Sequence, residues 1–260
     1  MKLHIHAVQL DLAWENPEVN YQRASALLEE AHPHPGSLII LPEMFPTGFS
    51  KDVKVTSEPA DGPTAKFFQS LATRWKCAVL GGYVQTTPTG AARNVAAVFA
   101  ADGTLLAEYV KQQPFSLGGE HLVHEAGHET IIFEFGGFKI APMICYDLRF
   151  PEVARRAAAQ GAELFINIAS WPIKRANHWT LLLQARAIEN LAWVVGVNRC
   201  GTDPEFIYPG RSIVVDPHGN IIADAADREQ VLHGVLDHEV LSTWRAQFPA
   251  LHDAKWDHLR

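Results

Sequence analysis

Cys145 ends the strand-like stretch Phe138–Cys145, FKIAPMIC, and YDLRFPEVARRAAAQ follows at once, its Pro151 and its run of Ala and Arg reading as a helix start. A thiol between a strand end and a helix start faces unpaired backbone N–H groups, which lower its pKa and stabilise an oxyanion. Cys145 is therefore a candidate nucleophile. Most isolated buried cysteines are inert core; Cys77 in KCAVLGG reads that way, and Cys200 at a strand end is ambiguous. Cys145 differs because Tyr146, Asp147 and Arg149 follow it directly.

A nucleophile needs a base. Glu43, in LIILPEMFPTGF, comes straight after a buried strand and lies between Pro42 and Met44-Phe45. A carboxylate held among apolar residues suits proton transfer near neutrality. Lys111 ends the strand TLLAEYV as Glu43 and Cys145 end theirs, and strand ends are where α/β sheets gather their chemistry. Glu120, after the flexible Ser116–Gly119 stretch, is either a second carboxylate of the site or a loop residue.

One rival pattern is present. His124-Glu125-Ala126-Gly127-His128 matches H-E-x-x-H, which on a helix places two imidazoles on one metal. Gly118-Gly119 precedes it closely and the strand TIIFEF follows, so a loop and short turn is expected instead. The longer form of the motif fails as well: Ile131 stands where a glycine belongs and Glu134 where the third histidine belongs. No metal site is expected. Gly81-Gly82 lacks phosphate-loop spacing, and neither G-x-x-x-x-G-K-[ST] nor G-x-S-x-G occurs.

The elements that must position these residues alternate along the chain. Strands are expected at Leu3–Leu10, Leu38–Leu41, Ala78–Tyr83, Asn94–Ala100, Thr104–Tyr109, Thr130–Phe135, Phe138–Cys145, Leu164–Ala169, Trp193–Val197, Ser212–Asp216, Ile221–Asp224 and Val231–Leu236. Helices are expected at Pro17–Ala31, Thr64–Trp75, after Pro151 and at Trp179–Asn190. Asp102-Gly103, Gly136-Gly137 and His218-Gly219-Asn220 read as hairpin turns. Both βαβ units and hairpins are present, so mixed sheets covered by helices are expected. No internal repeat is visible.

The 260 residues are 47% hydrophobic, enough for one large α/β domain, and no linker-like tract divides them. A net charge of −7 spread along the chain leaves no basic face for nucleic acid. MKLHIHAVQL alternates rather than forming an apolar core, so it reads as a first strand and not a leader. No apolar run approaches the roughly 20 residues of a membrane helix. Three cysteines argue against a disulfide framework and for a cytoplasmic protein with reduced thiols.

Taken together, LPEMFPTGF, EYVKQQPF, MICYDLRFPE, INIASWP, QARAIENLAWVVGVNRCG and YPGRSIVVDPHGNII resemble, in family order, the carbon–nitrogen hydrolases of the nitrilase superfamily. SWP followed by RAIEN and GVNR is most similar to the omega-amidase branch, which hydrolyses the terminal amide of small keto-acid amides. The resemblance implies one domain over residues 1–260, a four-layer α-β-β-α sandwich of mixed sheets, a homodimer formed through helices, and no cofactor. It assigns the general base to Glu43, the catalytic lysine to Lys111, the nucleophile to Cys145, and to Glu120 the orienting of lysine and substrate. Gln112-Gln113-Pro114 departs from the usual residues after the lysine, which bears on the shape of that loop.

The chemistry expected is attack by the Cys145 thiolate on an amide carbonyl, with Lys111 and the Tyr146 backbone N–H holding the oxyanion. An omega-amido acid has a carboxylate at its far end. Arg149 is either its bidentate partner or half of a structural ion pair with Glu152. Trp171 and Phe45 are either pocket walls or core aromatics. The same catalytic set leaves a nitrile hydrolase or a deaminated-peptide amidase open within the fold. From other classes, a silent binding module and a zinc peptidase are the alternatives.

Overall fold

The computed structural model describes residues 1–256. In chain order its strands and helices are β1 (Lys2–Gln9), α1 (Pro17–Ala31), β2 (Leu38–Ile40), the single-turn α2 (Val53–Thr56), β3 (Ser57–Glu58), α3 (Pro63–Trp75), β4 (Ala78–Thr86), β5 (Ala92–Phe99) and β6 (Leu105–Val110). Then come β7 (Phe133–Phe135), β8 (Phe138–Ile144), α4 (Pro151–Ala159), β9 (Leu164–Ala169), α5 (Ala176–Asn190) and β10 (Trp193–Asn198). The last are β11 (Cys200–Thr202), β12 (Ile207–Pro209), β13 (Ile213–Val215), β14 (Ile221–Asp224), β15 (Gln230–Asp237) and α6 (His238–Gln247).

Alternation of side chains builds the layers. Leu38 and Ile40, Ala78 and Leu80, and Ala96 and Val98 face one side of the first sheet and join the core shared with the second. Their neighbours Ile39, Val79, Val95 and Ala97 face the other side, where Ala24 and Leu28 of α1 and Phe68, Leu71 and Ala72 of α3 cover them. The second sheet is covered in turn by Val153, Ala154 and Ala157 of α4 and by Trp179, Leu183 and Ala187 of α5. Helices, sheet, sheet and helices make the four layers expected. On the α5 side the fit is close: a Cβ on Gly196 of β10 would stand 2.4 Å from Leu183 and 2.7 Å from Trp179.

The sheets run β15-β1-β2-β4-β5-β6, with β3 beside β4, and β14-β13-β10-β9-β8-β7. Each has the same grammar. An antiparallel pair (β15/β1, β7/β8) precedes two parallel pairs (β1/β2/β4, β8/β9/β10), and two antiparallel pairs follow. The topology thus repeats although the sequence shows no repeat.

Several boundaries differ from the expectation. β8 stops at Ile144, and Cys145–Arg149 form a 3₁₀ turn ahead of α4. The hairpin β11–β12 and helix α6 were not expected; GTDPEFIYPG reads as a turn-rich loop, yet Cys200, Gly201 and Thr202 pair with Pro209, Tyr208 and Ile207. No helix among the described residues is long and apolar enough to cross a membrane.

Candidate active site

Glu43 lies three residues past β2, where the chain still runs along β4: Leu41 N donates to Leu80 O at 2.8 Å and Phe45 N to Gly82 O at 2.9 Å. Gly82 makes room for this turn, since a Cβ there would stand 2.8 Å from Glu43 Cα. The turn presents the Glu43 side chain to the space between the sheets, fully buried, and sends Phe45 the other way. Phe45 is a core aromatic, stacked 5.7 Å from Phe67 and packed against Tyr21 and Phe68; it does not line the cleft described below.

The first sheet brings two further groups to Glu43. Asn94 on β5 and Lys111, just beyond β6, are joined through Lys111 N donating to Asn94 O at 2.9 Å. Lys111 Nζ donates to Glu43 Oε1 at 2.8 Å and to Glu120 Oε2 and Oε1 at 2.8 and 3.1 Å. Asn94 Nδ2 bridges the same carboxylates, 2.8 Å from Glu43 Oε1 and 2.9 Å from Glu120 Oε1. Phe115 N completes Glu120 at 2.6 Å, and from the second sheet Ser170 N donates to Glu43 Oε2 at 2.8 Å. Lys111, Glu43 and Glu120 are each at most 1% exposed. An ion cluster so deeply buried holds together only when its charges are paired and its lone pairs filled, and here every carboxylate oxygen has a donor.

Burial alone pushes the Lys111 ammonium down, but Glu120 and Glu43 outweigh it and raise its pKa above the ordinary lysine range. Burial likewise pushes the Glu120 carboxyl up, and chiefly Lys111, with Asn94, reverses this and holds it at about 2. For Cys145 the sequence expectation is corrected. Burial and the adjacent Glu43 carboxylate raise its thiol well above the usual range, against the pull of Lys111. Two carboxylates and one ammonium already leave this cluster with an excess negative charge, and a thiolate would add another. The five-residue 3₁₀ turn that follows cannot offset that. The raised thiol stands against the Glu43 carboxylate.

Cys145 itself has φ +47°, a left-handed conformation rare outside glycine, and Met44 beside Glu43 has φ +44°. Such geometry costs about 1–3 kcal/mol and persists where neighbours enforce it. Asp147 is one enforcer. It accepts from Ile144 N at 3.0 Å, Tyr109 OH at 2.7 Å and Gln113 N at 2.8 Å, tying the turn that carries Cys145 to β6 and to the loop after Lys111. Burial raises the Asp147 carboxyl to about 6 despite these donors.

Cys145 opens on a cleft of about 400 Å³, its mouth included, walled by Phe49, Phe115, Tyr146, Trp171, Phe206 and Tyr208. Arg149 and Arg175 also face it. Arg149 lies 4.7 Å over the Trp171 ring and 3.3 Å from His178 Nδ1, and it forms no ion pair with Glu152. Arg175 lies 5.4 Å from the Phe115 ring. Neither guanidinium pairs with a carboxylate among the described residues. Arg175, Asn94 and the Ser170 N–H went unnoticed in the sequence.

The HEAGH segment is not helical. His124 follows the 3₁₀ turn Glu120–Leu122 and forms a bridge with Ala92, and the next residues to His128 have no regular structure. No group of three or more potential ligands is arranged for a metal among the described residues.

The family described as Carbon-nitrogen hydrolase matches residues 5–246. The omega-amidase YafV of Yersinia enterocolitica is 36% identical over 96% of each chain. The 2-oxoglutaramate amidase of Bacillus subtilis is 32% identical over 99% of each. The crystal structure of XC1258 from Xanthomonas campestris, a CN-hydrolase superfamily protein with an arsenic adduct in its active site, superposes with a TM-score of 0.93 at 36% identity, covering 98% of both chains. Nit3 of Saccharomyces cerevisiae, from branch 10 of the nitrilase superfamily, gives 0.86 at 28% identity over 95% of this chain and 94% of its own. In sequence and in architecture alike, the chain belongs to the carbon-nitrogen hydrolase family, enzymes that act on carbon–nitrogen bonds other than peptide bonds.

Proposed function

We propose that this protein hydrolyses the terminal amide of a small omega-amido acid to the acid and ammonia through a thioester on Cys145. The observation that carries the reading is the buried Glu43–Lys111–Glu120 cluster beside Cys145, in a cleft that also presents two guanidiniums without carboxylate partners. Relatives named omega-amidase and 2-oxoglutaramate amidase support it.

Each step has a residue of the right kind. Glu43 takes the Cys145 proton, and the sulfur attacks the amide carbonyl. The oxyanion falls to the Lys111 ammonium and the Tyr146 backbone N–H, and a preorganised donor of this sort contributes about 3–4 kcal/mol. Glu43 then protonates the departing ammonia. Water, activated by the same carboxylate, cleaves the thioester and regenerates the thiol. Keeping the proton on the resting thiol fits this cycle, because the base and acid roles need one proton that Glu43 and Cys145 exchange.

Arg149 and Arg175 would take the far carboxylate, a task for which a planar fork is suited. The aromatic walls exclude water around that pair. Ammonia release from succinamate, compared with uncharged butyramide, tests the reading: strong preference for succinamate supports it, and equal or reversed rates refute the carboxylate-binding cleft. We further propose a homodimer, since α5 leaves Leu181 and Ile188, two turns apart on one face, exposed. Sedimentation velocity at micromolar concentration checks it. Three free cysteines fit the reducing cytoplasm, the compartment we propose.

A further inference from the structure

His124 belongs to a sequence pattern that this reaction leaves unused, yet it sits against the site. Its side chain is 1% exposed, and Nδ1 stands 3.5 Å from Glu120 Oε1, beyond ordinary hydrogen-bond length. Neither ring nitrogen has a hydrogen-bond partner among the described residues. Buried polar atoms left this way are costly, and their persistence calls for a reason.

The ring is held there by the backbone. His124 N donates to Glu120 O at 2.9 Å, Glu125 N to Ala92 O at 2.9 Å, and Gly127 N to Lys111 O at 2.8 Å. One turn of chain therefore stacks the imidazole over Glu120, and the following residues fasten it to the strands that carry Asn94 and Lys111.

The reason lies in the lysine's donors. An ammonium has three N–H groups, and in the resting site Lys111 has three close acceptors: Glu43 Oε1, Glu120 Oε2 and Glu120 Oε1. The oxyanion is a fourth. One bond must be released, and the longest, 3.1 Å to Glu120 Oε1, is the one most easily given up. That oxygen keeps Asn94 Nδ2 at 2.9 Å but loses its charged donor. We propose that His124 is a positioning residue whose Nδ1–H closes on Glu120 Oε1 as Lys111 turns an N–H to the oxyanion. Catalytic hydrogen bonds that are long at rest and shorten in the reacting complex behave in this way. The inference rests on the assignment of Lys111 as the oxyanion's partner and of Cys145 as the nucleophile. It gives Glu120 a second task, to stay fixed while the lysine pivots.

Succinic semialdehyde, the aldehyde counterpart of succinamate, arrests the site at that stage. The Cys145 sulfur–carbon bond forms, the carbonyl electron pair moves to oxygen, and the thiol proton passes to Glu43. In full-length protein with ¹⁵N-labelled histidine, the Nδ1–H resonance that disappears in His124→Asn should move downfield on adduct formation, which the ¹³C shift of the aldehyde carbon reports independently. An adduct with that resonance unmoved overturns the proposal. No adduct at all overturns the reading of Cys145, and the proposal with it. Kinetics give a second test. His124→Phe, of similar bulk but without a donor, should lose about tenfold in kcat, the scale of lost support for a catalytic group. Its KM should stay within about twofold, as for an interaction made only in the transition state. His124→Asn, whose amide N–H lies near the Nδ1 position, should recover most of kcat. Equal losses in both variants refute the donor role.

Discussion

Arg149→Lys is the substitution that separates recognition from scaffolding. In the structure the guanidinium stacks 4.7 Å over Trp171, rests both terminal nitrogens 3.3 Å from His178 Nδ1 and lacks a carboxylate partner, so a ligand carboxylate competes only with a neutral or weaker acceptor for its fork. Lysine keeps the charge but replaces two parallel donors by a point charge. A hydrogen bond to a charged group is worth about 1.5–3 kcal/mol, which at about 1.36 kcal/mol per decade is one to two decades in kcat/KM. The structural cost is smaller: an accessible cation–π stack contributes about 0.5–1 kcal/mol, a change of a few degrees at most in Tm. The assay is ammonia release from succinamate and from butyramide, for both proteins, with thermal unfolding alongside. The loss should fall on succinamate, chiefly in KM, and spare butyramide. Equal losses on both amides, or a large fall in Tm, would make Arg149 a scaffold residue and refute the reasoning. Arg175→Lys, run in parallel, tells whether the two guanidiniums share the task.

Cys145→Ser should abolish turnover with Tm little changed, because the replacement is small and keeps the same backbone; activity above a few per cent in purified protein refutes the nucleophile. Iodoacetamide should label Cys145 before Cys77 or Cys200, since it alone of the three lines the cleft, and the rate should keep climbing as pH rises above 8, because its thiol pKa is raised. A plateau at neutral pH contradicts the protonated resting thiol. Glu120, with its folded pKa depressed to about 2, contributes stability that is present above its unfolded value and lost as pH falls toward 2. Glu120→Gln should therefore flatten the acid-unfolding curve between about pH 5 and pH 2, and an unchanged slope counts against the buried ion cluster.

Glu43, Lys111 and Cys145 were legible because each follows a strand of strongly apolar residues, and a polar group at such a place has few structural uses. Asn94 was hidden for the opposite reason. It sits within β5, and only the folded hydrogen bonds from its amide to Glu43 and Glu120 show that it faces the carboxylates. Phe45, two residues beyond Glu43, reads equally as pocket wall or core aromatic in the sequence; only the turn through Met44, at φ +44°, shows that it packs into the core. The thiol's pKa was misjudged because a local rule about helix starts met a nonlocal fact, two carboxylates brought from far along the chain. β11 and β12 were missed since a two-stranded ribbon of three-residue strands has little periodicity to read.

The pairing of β1 with β15 sets a timetable for synthesis. Lys2 lies opposite Asp237, so β1 waits for β15 to be made. Until then a strand bearing Leu3, Ile5 and Val8 leaves the ribosome with one edge bare, and bare apolar edges seek other chains. Contacts of such sequence separation also slow folding. A translation pause or truncation before residue 230 should thus be far more damaging than its distance from Cys145 suggests. Two fragments meeting between the sheets, expressed together, should by the same logic find each other through that outer seam.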